Sequence, residues 1–380
     1  MRFFNTKKGL LTLGIIAGLG AALLAYLGNP KNMAFCIACF IRDTAGAMKF
    51  HNAEVVQYFR PEIVGIILGA FLISLFTKEY RSTGGSSPVI RFFLGVIMMV
   101  CALVFLGCPL RMILRMSAGD ISSYVGFVGF AAGVATGAFF LRKGFSLGRA
   151  YPVKKENGYV LPIVVAVLFA LVIAVPSLYV FSKKGPGSMH AVWYAALGVG
   201  LVFGVIAQKS RMCFAGSLRD IILLKDFRLF SVIGGIFIVM LIYNIATGNF
   251  KFVAFGPIAH AQTIWNILSM YAVGFCAVLL GGCPLRQLVL AGTGSSDSVI
   301  TVLGMFVGAA FAHNFKLAAG AAAVENAAKG IKAAAGGPEA YAAEAGAREQ
   351  EQSALQGPAG SCPDGTEACR AADGRGLSAE

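Results

Sequence analysis

The chain has 380 residues, of which 57% are hydrophobic and only 13% charged, with a mean hydropathy of +0.74. A soluble globular domain carries about 25% charged residues, so the composition excludes that class and points to a polytopic membrane protein. The net charge of +14 lies mostly in short loops between apolar runs, with no basic stretch interleaved with aromatics, so a nucleic-acid partner is not expected and lipid is.

Nine apolar runs are long enough to read as spans: 9–27, 61–77, 88–106, 122–141, 160–181, 190–208, 228–247, 263–281 and 298–312. The first follows Lys7 and Lys8 and could pass for a signal peptide. Its length and the spans behind it favour a retained helix. Four shorter segments, 32–48, 107–119, 209–224 and 282–296, are too short and too broken by Gly, Pro and Arg to cross. Irregular backbone at membrane depth is tolerated only inside protein or around a wet cavity, so these read as re-entrant half-helices.

The half-helix segments contain the chain's most specific pattern. Gly-Cys-Pro-Leu-Arg occurs at 107–111 and again at 282–286, each copy with a further cysteine seven residues upstream, Cys101 and Cys276. The other two segments share Cys-x5-Arg-Asp, at Cys36/Arg42-Asp43 and Cys213/Arg219-Asp220. Each half therefore reads span, Cys-x5-Arg-Asp segment, span, span, Gly-Cys-Pro-Leu-Arg segment, span. One extra helix between the halves turns the second over, which makes an inverted repeat. The fold class expected is all-α, nine transmembrane helices plus four half-helices. The divisions are a first repeat over 1–150, a linker helix over 151–188, a second repeat over 189–315 and a disordered tail over 316–380. Within the tail, 318–335 could be transiently helical, and Cys362 and Cys369 could pair in an oxidising compartment. With the N-terminus inside, the inner segments before the tail hold nearly twice the lysines and arginines of the outer ones, so N-in, C-out is expected.

Proline suits the first position of a helix, which places Cys108 and Cys283 at helix N-terminal ends, where free N–H groups and the dipole favour anions. A soft thiol at such a point suits a sulfur- or selenium-containing anion. The plainer alternative is a tight turn with a small buried residue. Duplication in an inverted repeat favours function. Arg111 and Arg286 lie about one turn further on. Two readings stay open for them: attracting the anion, or capping carbonyls and pairing with Asp120 and Asp297. Cys101 and Cys276 read first as packing residues, and the Arg-Asp pairs as salt bridges that hold the half-helices. Cys36 and Cys39 form a Cys-x-x-Cys, but Gly216 stands where the second copy would need its cysteine, so Cys213 is the cleaner pathway thiol. His51, His190, His260 and His313 lie at span ends or in loops without metal-ligand spacing; no metal and no cofactor is expected.

The duplicated Gly-Cys-Pro-Leu-Arg, the Ser-Arg-Met-Cys-Phe-Ala-Gly-Ser-Leu-Arg-Asp stretch at 210–220 and the nine-span layout resemble the YeeE/YedE membrane proteins over about residues 5–315. Cys-Ile-Ala-Cys-Phe-Ile-Arg-Asp at 36–43 looks most like the YedE branch linked to selenium metabolism. The resemblance implies thiosulfate-type uptake across the inner membrane, with the anion handed between thiols by S–H···S contacts. It carries the pathway role to Cys108, Cys213 and Cys283, with Cys36 as a fourth thiol. It thus implies a transporter of a small sulfur or selenium anion, with a cytoplasmic sulfur-transfer protein as a possible partner. Two other readings are kept: a membrane thiol oxidoreductase or sulfur-transfer enzyme cycling Cys36–Cys39, and a sulfur sensor that binds without flux.

Overall fold

The computed structural model describes residues 6–260 and 262–318. The tail expectations, including Cys362 and Cys369, lie outside the described residues. Thirteen α-helices follow one another among those described. The first half holds α1 (Lys7–Tyr26), α2 (Ile37–Ala47), α3 (Pro61–Phe76), α4 (Pro88–Val104), α5 (Pro109–Met116) and α6 (Ile121–Arg142). α7 (Lys155–Ala174) joins it to α8 (Trp193–Lys209), α9 (Phe214–Leu224), α10 (Arg228–Ala246), α11 (Thr263–Leu279), α12 (Pro284–Gly292) and α13 (Ser296–Asn314). The one sheet described is a two-residue antiparallel ribbon, β1 (Thr83–Gly84) with β2 (Tyr151–Pro152).

The starts of these helices follow from local chemistry. Proline opens α3, α4, α5 and α12, where a missing N–H costs nothing. Asp120 and Ser295 cap α6 and α13 by accepting from the N–H of Ser122 and Ser298.

Among the described residues, eight helices are long and apolar enough to cross a membrane, three of them counted together with the half-helix that follows: Pro88–Met116, Trp193–Leu224 and Thr263–Gly292. This is an all-α multi-pass membrane protein. α3 is a shorter apolar helix of 16 residues, about 24 Å long at 1.5 Å per residue. One expected span needs correction. The run read as 160–181 is helical only from Lys155 to Ala174; Pro176 lacks the N–H to continue, and a 3-10 turn over Pro176–Leu178 follows.

The helices pair between halves. α1 packs along α10, α3 along α8, α4 along α13 and α6 along α11. Taking α1, α3, α4 and α6 as the mates of α8, α10, α11 and α13, exchanging the halves turns the α1–α10 pair into the α8–α3 pair and the α4–α13 pair into the α11–α6 pair. That is the relation a two-fold between halves requires. The mates α4 and α11 also touch one another, and there Cys276 is within electrostatic reach of Cys101.

Glycine permits these close pairings. A Cβ on Gly133 of α6 would run into the Tyr271 carbonyl of α11, whereas Gly198 on α8 faces open space. Gly133→Ala is therefore expected to lower thermal stability in detergent by about 1–3 kcal/mol through overpacking. Gly198→Ala is expected to be neutral or to stabilise by up to about 1 kcal/mol through helix propensity. Equal melting temperatures for the two variants would contradict this account of the packing.

Candidate functional site

The repeated pentapeptide is a compact structural unit. Leu106 and Gly281, the residues just before the two copies, both take left-handed backbone (φ 60° and 81°), which turns the chain sharply out of α4 and α11. Cys108 and Cys283 then occupy the N-cap positions of α5 and α12, with Pro109 and Pro284 at the first helical positions. The arginine folds back over the glycine. A Cβ on Gly107 would lie 2.9 Å from Cδ of Arg111, and one on Gly282 would lie 2.7 Å from Cγ of Arg286. Glycine, cysteine, proline and arginine each have one task in the same turn.

Cys36 and Cys213 are also N-caps, of α2 and α9. Their Sγ atoms accept from the N–H groups of Cys39 (3.4 Å) and Gly216 (3.2 Å), the equivalent positions of the two halves. All four half-helices thus begin at a sulfur, where the positive ends of their dipoles lie.

The four thiols meet as two pairs. Cys36 and Cys108 are hydrogen-bond partners, as are Cys213 and Cys283. The N–H groups of Ala38 and Arg111 point at the Cys108 sulfur, and those of Phe214 and Arg286 at the Cys283 sulfur. The seven described cysteines are free thiols.

The two pairs differ in access. Cys36 and Cys108 are buried beneath Arg111, which has no exposed surface. The Arg111 guanidinium donates to the carbonyls of Asn32 (3.0 Å), Ile258 (3.0 Å) and Leu106, and to the Cys39 sulfur (3.4 Å). Arg286, at the equivalent place, donates only to Gln208 Oε1 (3.3 Å) among the described residues and lines a cavity of about 550 Å³ that Cys213 also lines. Lys209, Arg211, Arg219 and Arg228 border the same cavity. Arg219 and Arg228 are held by Asp220 (2.8 Å) and Asp226 (2.7 Å), and Lys209 reaches Glu79 (3.2 Å). Arg211 and Arg286 have no carboxylate partner among the described residues, so the cavity presents net positive charge beside a thiol.

Of the two readings open for the arginines, Arg111 follows the carbonyl-capping one. Neither arginine pairs with Asp120 or Asp297. Asp120 takes Arg115 (2.7 Å), which lies one turn beyond Arg111. Asp297 accepts from the N–H groups of Gly85 (3.1 Å) and Ser86 (3.4 Å). The Arg-Asp motifs form the ion pairs expected: Arg42–Asp43 (2.6 Å), joined by Arg60 (2.8 Å), and Arg219–Asp220.

Three buried charged groups escaped the sequence reading: Arg60, Arg115 and Glu62. The signal for Arg115 was present, because a second arginine in an eight-residue half-helix needs a partner. Nothing local marks the roles of Arg60 and Glu62, whose partners come from distant segments.

Residues 209–342 match the Sulphur transport family, a stretch that includes Cys213, Cys283 and Arg286. A curated relative, the thiosulfate transporter TsuA of Spirochaeta thermophila, is 27% identical over 125 residues, covering 31% of this chain and 35% of that protein. The match thus spans about a third of the relative's length. Over residues 209–342, which hold two of the four motif thiols, the chain is thus similar to the Sulphur transport family, in line with the resemblance of its motifs to the YeeE/YedE membrane proteins.

Proposed function

We propose that this protein imports a small sulfur oxyanion of the thiosulfate kind across the inner membrane, passing it along the motif thiols. The observation that carries the reading is the placement of a thiol at the N-terminus of every half-helix, in two hydrogen-bonded pairs, one of them open to a basic cavity. Similarity to the sulphur-transport family and to a thiosulfate transporter supports it.

The chemistry suits the cargo. An S–H group donates to an anionic sulfur or oxygen, and the N–H groups around Cys108 and Cys283 supply further donors where the half-helix dipoles converge. A doubly charged anion entering a negative-inside cell is opposed by about 2.3 kcal/mol per charge per 100 mV. Positive dipole ends offset that charge locally, as do Arg211 and Arg286, which have no carboxylate partner among the described residues. In the N-in orientation, with repeats over 1–150 and 189–315 and a linker over 151–188, Cys36 and Cys108 form the outer pair. Cys213 and Cys283 form the inner pair, facing the cytoplasm, where a sulfur-transfer protein could receive the cargo. The state described is then closed outside by Arg111 and open inside. Alternating access would exchange the tasks of Arg111 and Arg286.

Uptake of labelled thiosulfate into proteoliposomes, with sulfite and selenite as competitors, tests the reading. Thiosulfate should accumulate and sulfite should compete weakly. Strong competition by selenite would shift the substrate to selenium species. Binding without uptake would replace transport by sensing, and a Cys36–Cys39 disulfide that forms and is reduced during turnover would favour the thiol oxidoreductase.

A further inference from the structure

Glu62 lies in the first turn of α3 with no exposed surface. Its Oε1 accepts from Asn29 Nδ2 (2.9 Å), while its Oε2 has no hydrogen-bond partner among the described residues. No described cation pairs with it. Arg60, two residues earlier, is committed elsewhere: its Nε donates to Asp43 Oδ2 (2.8 Å) and its Nη atoms to the carbonyls of Pro186 (3.1 Å) and Met189 (3.4 Å). The titratable and charged groups around Glu62 are Tyr58 and Arg60 of its own segment, His190 ahead of α8, and Asp43 of α2, held by Arg60. α8 brings Gly200 against its backbone. A fully buried acidic side chain without a cation is costly and marks function more often than filler.

Asn29 ties this carboxyl group to the transport machinery. The same Nδ2 donates to the carbonyl of Ala34, two residues before Cys36, and Asn29 Oδ1 accepts from the N–H of Ala191 (2.9 Å) at the entry to α8. One amide therefore joins the end of α1, the turn into the Cys36 half-helix, the start of α8 and Glu62.

We propose that Glu62 is a proton-binding site that couples inward proton movement to anion import. The inference rests on the transport reading and adds its driving ion. A proton taken up on Oε2 satisfies the open carboxyl oxygen. Its release changes the charge beside Asn29, so the turn that positions Cys36 responds. The net charge carried inward with a dianion falls by one for each proton that accompanies it.

The test uses the full chain in proteoliposomes with pyranine inside and labelled thiosulfate outside. Thiosulfate entry should acidify the lumen, and a one-unit pH gradient, acid outside, should raise accumulation about tenfold for one proton per cycle. In Glu62→Gln, the gradient should lose its effect and acidification should vanish. Exchange of labelled for unlabelled thiosulfate, which needs no net proton movement, should continue. Glu62→Asp keeps the acid and should keep the gradient effect. If Glu62→Gln does not fold, Glu62→Asp serves instead, and it should shift the external pH at which uptake is half-maximal. An unshifted profile overturns the inference. Entry without acidification in the unaltered protein, or a Glu62→Gln protein that accumulates and acidifies as before, also overturns it and leaves transport standing. No entry under any gradient would sink the transport reading itself.

Discussion

Alanine at Cys213 is expected to reduce thiosulfate uptake to background while the protein still reaches the membrane in normal amount. The residue has two roles that can be separated. As an N-cap, its sulfur accepts from Gly216 N–H at 3.2 Å, a bond whose loss costs about 0.5–2 kcal/mol at helix starts. As the proposed relay group, it partners Cys283 and lines the basic cavity. Serine keeps the cap and removes the soft sulfur. Cys213→Ser should therefore match the parent in melting temperature yet fail in transport. Single alanine variants at Cys108 and Cys283 should fail as well, because each removes one thiol of a hydrogen-bonded pair. Uptake at parental levels in all three alanine variants would discard the relay.

The largest effect on stability is expected at Arg115. Its guanidinium is fully buried and donates to Asp120 Oδ2 (2.7 Å), Ser122 Oγ (2.6 Å) and the Phe105 carbonyl (3.1 Å), lying 4.5 Å from the Phe105 ring centroid. Arg115→Leu leaves Asp120 charged and buried without its cation, a change that costs about 3–5 kcal/mol. The second repeat already shows an apolar solution. Leu290 stands at the position equivalent to Arg115, and Ser295 caps α13 where Asp120 caps α6. The double variant Arg115→Leu/Asp120→Ser should therefore recover most of the lost stability, with a coupling free energy of about 2 kcal/mol or more in a thermal-unfolding cycle. If the two losses simply add, the ion pair is not the reason for the cost.

The placement of the four half-helices was legible because Gly-Cys-Pro-Leu-Arg combines a turn, a cap, a helix start and a back-folded arginine in five residues. The same pattern located Cys108 and Cys283 at helix starts. Which thiol meets which was not legible. Cys36 and Cys108 lie some seventy residues apart, as do Cys213 and Cys283, and no periodicity links residues across two intervening spans. The asymmetry of Arg111 and Arg286 was hidden for a related reason. Their local sequences are identical, and the difference lies in carbonyls supplied by Asn32 and Ile258 from remote loops. The end of α7 was readable and was overrun: Pro176 interrupts an apolar stretch that continues through Leu178 and Phe181, and hydropathy outweighed the break. Glu62 has a partner in Asn29, thirty-three residues away, and a single acidic residue at the head of an apolar run does not reveal whether a cation reaches it.

The cross-packing of the halves also has a consequence for how the chain is made. α1 finds its main partner in α10, and α3 finds its partner in α8, so the first helices to leave the ribosome lack their packing surfaces until the second half has been synthesised. Their backbone-close glycine faces, such as Gly14 and Gly18 against α10, must wait in lipid or against the insertion machinery. A chain cut after α7 would therefore leave four helices without partners and present itself to membrane proteases as an orphan, even though every motif of the first repeat is complete.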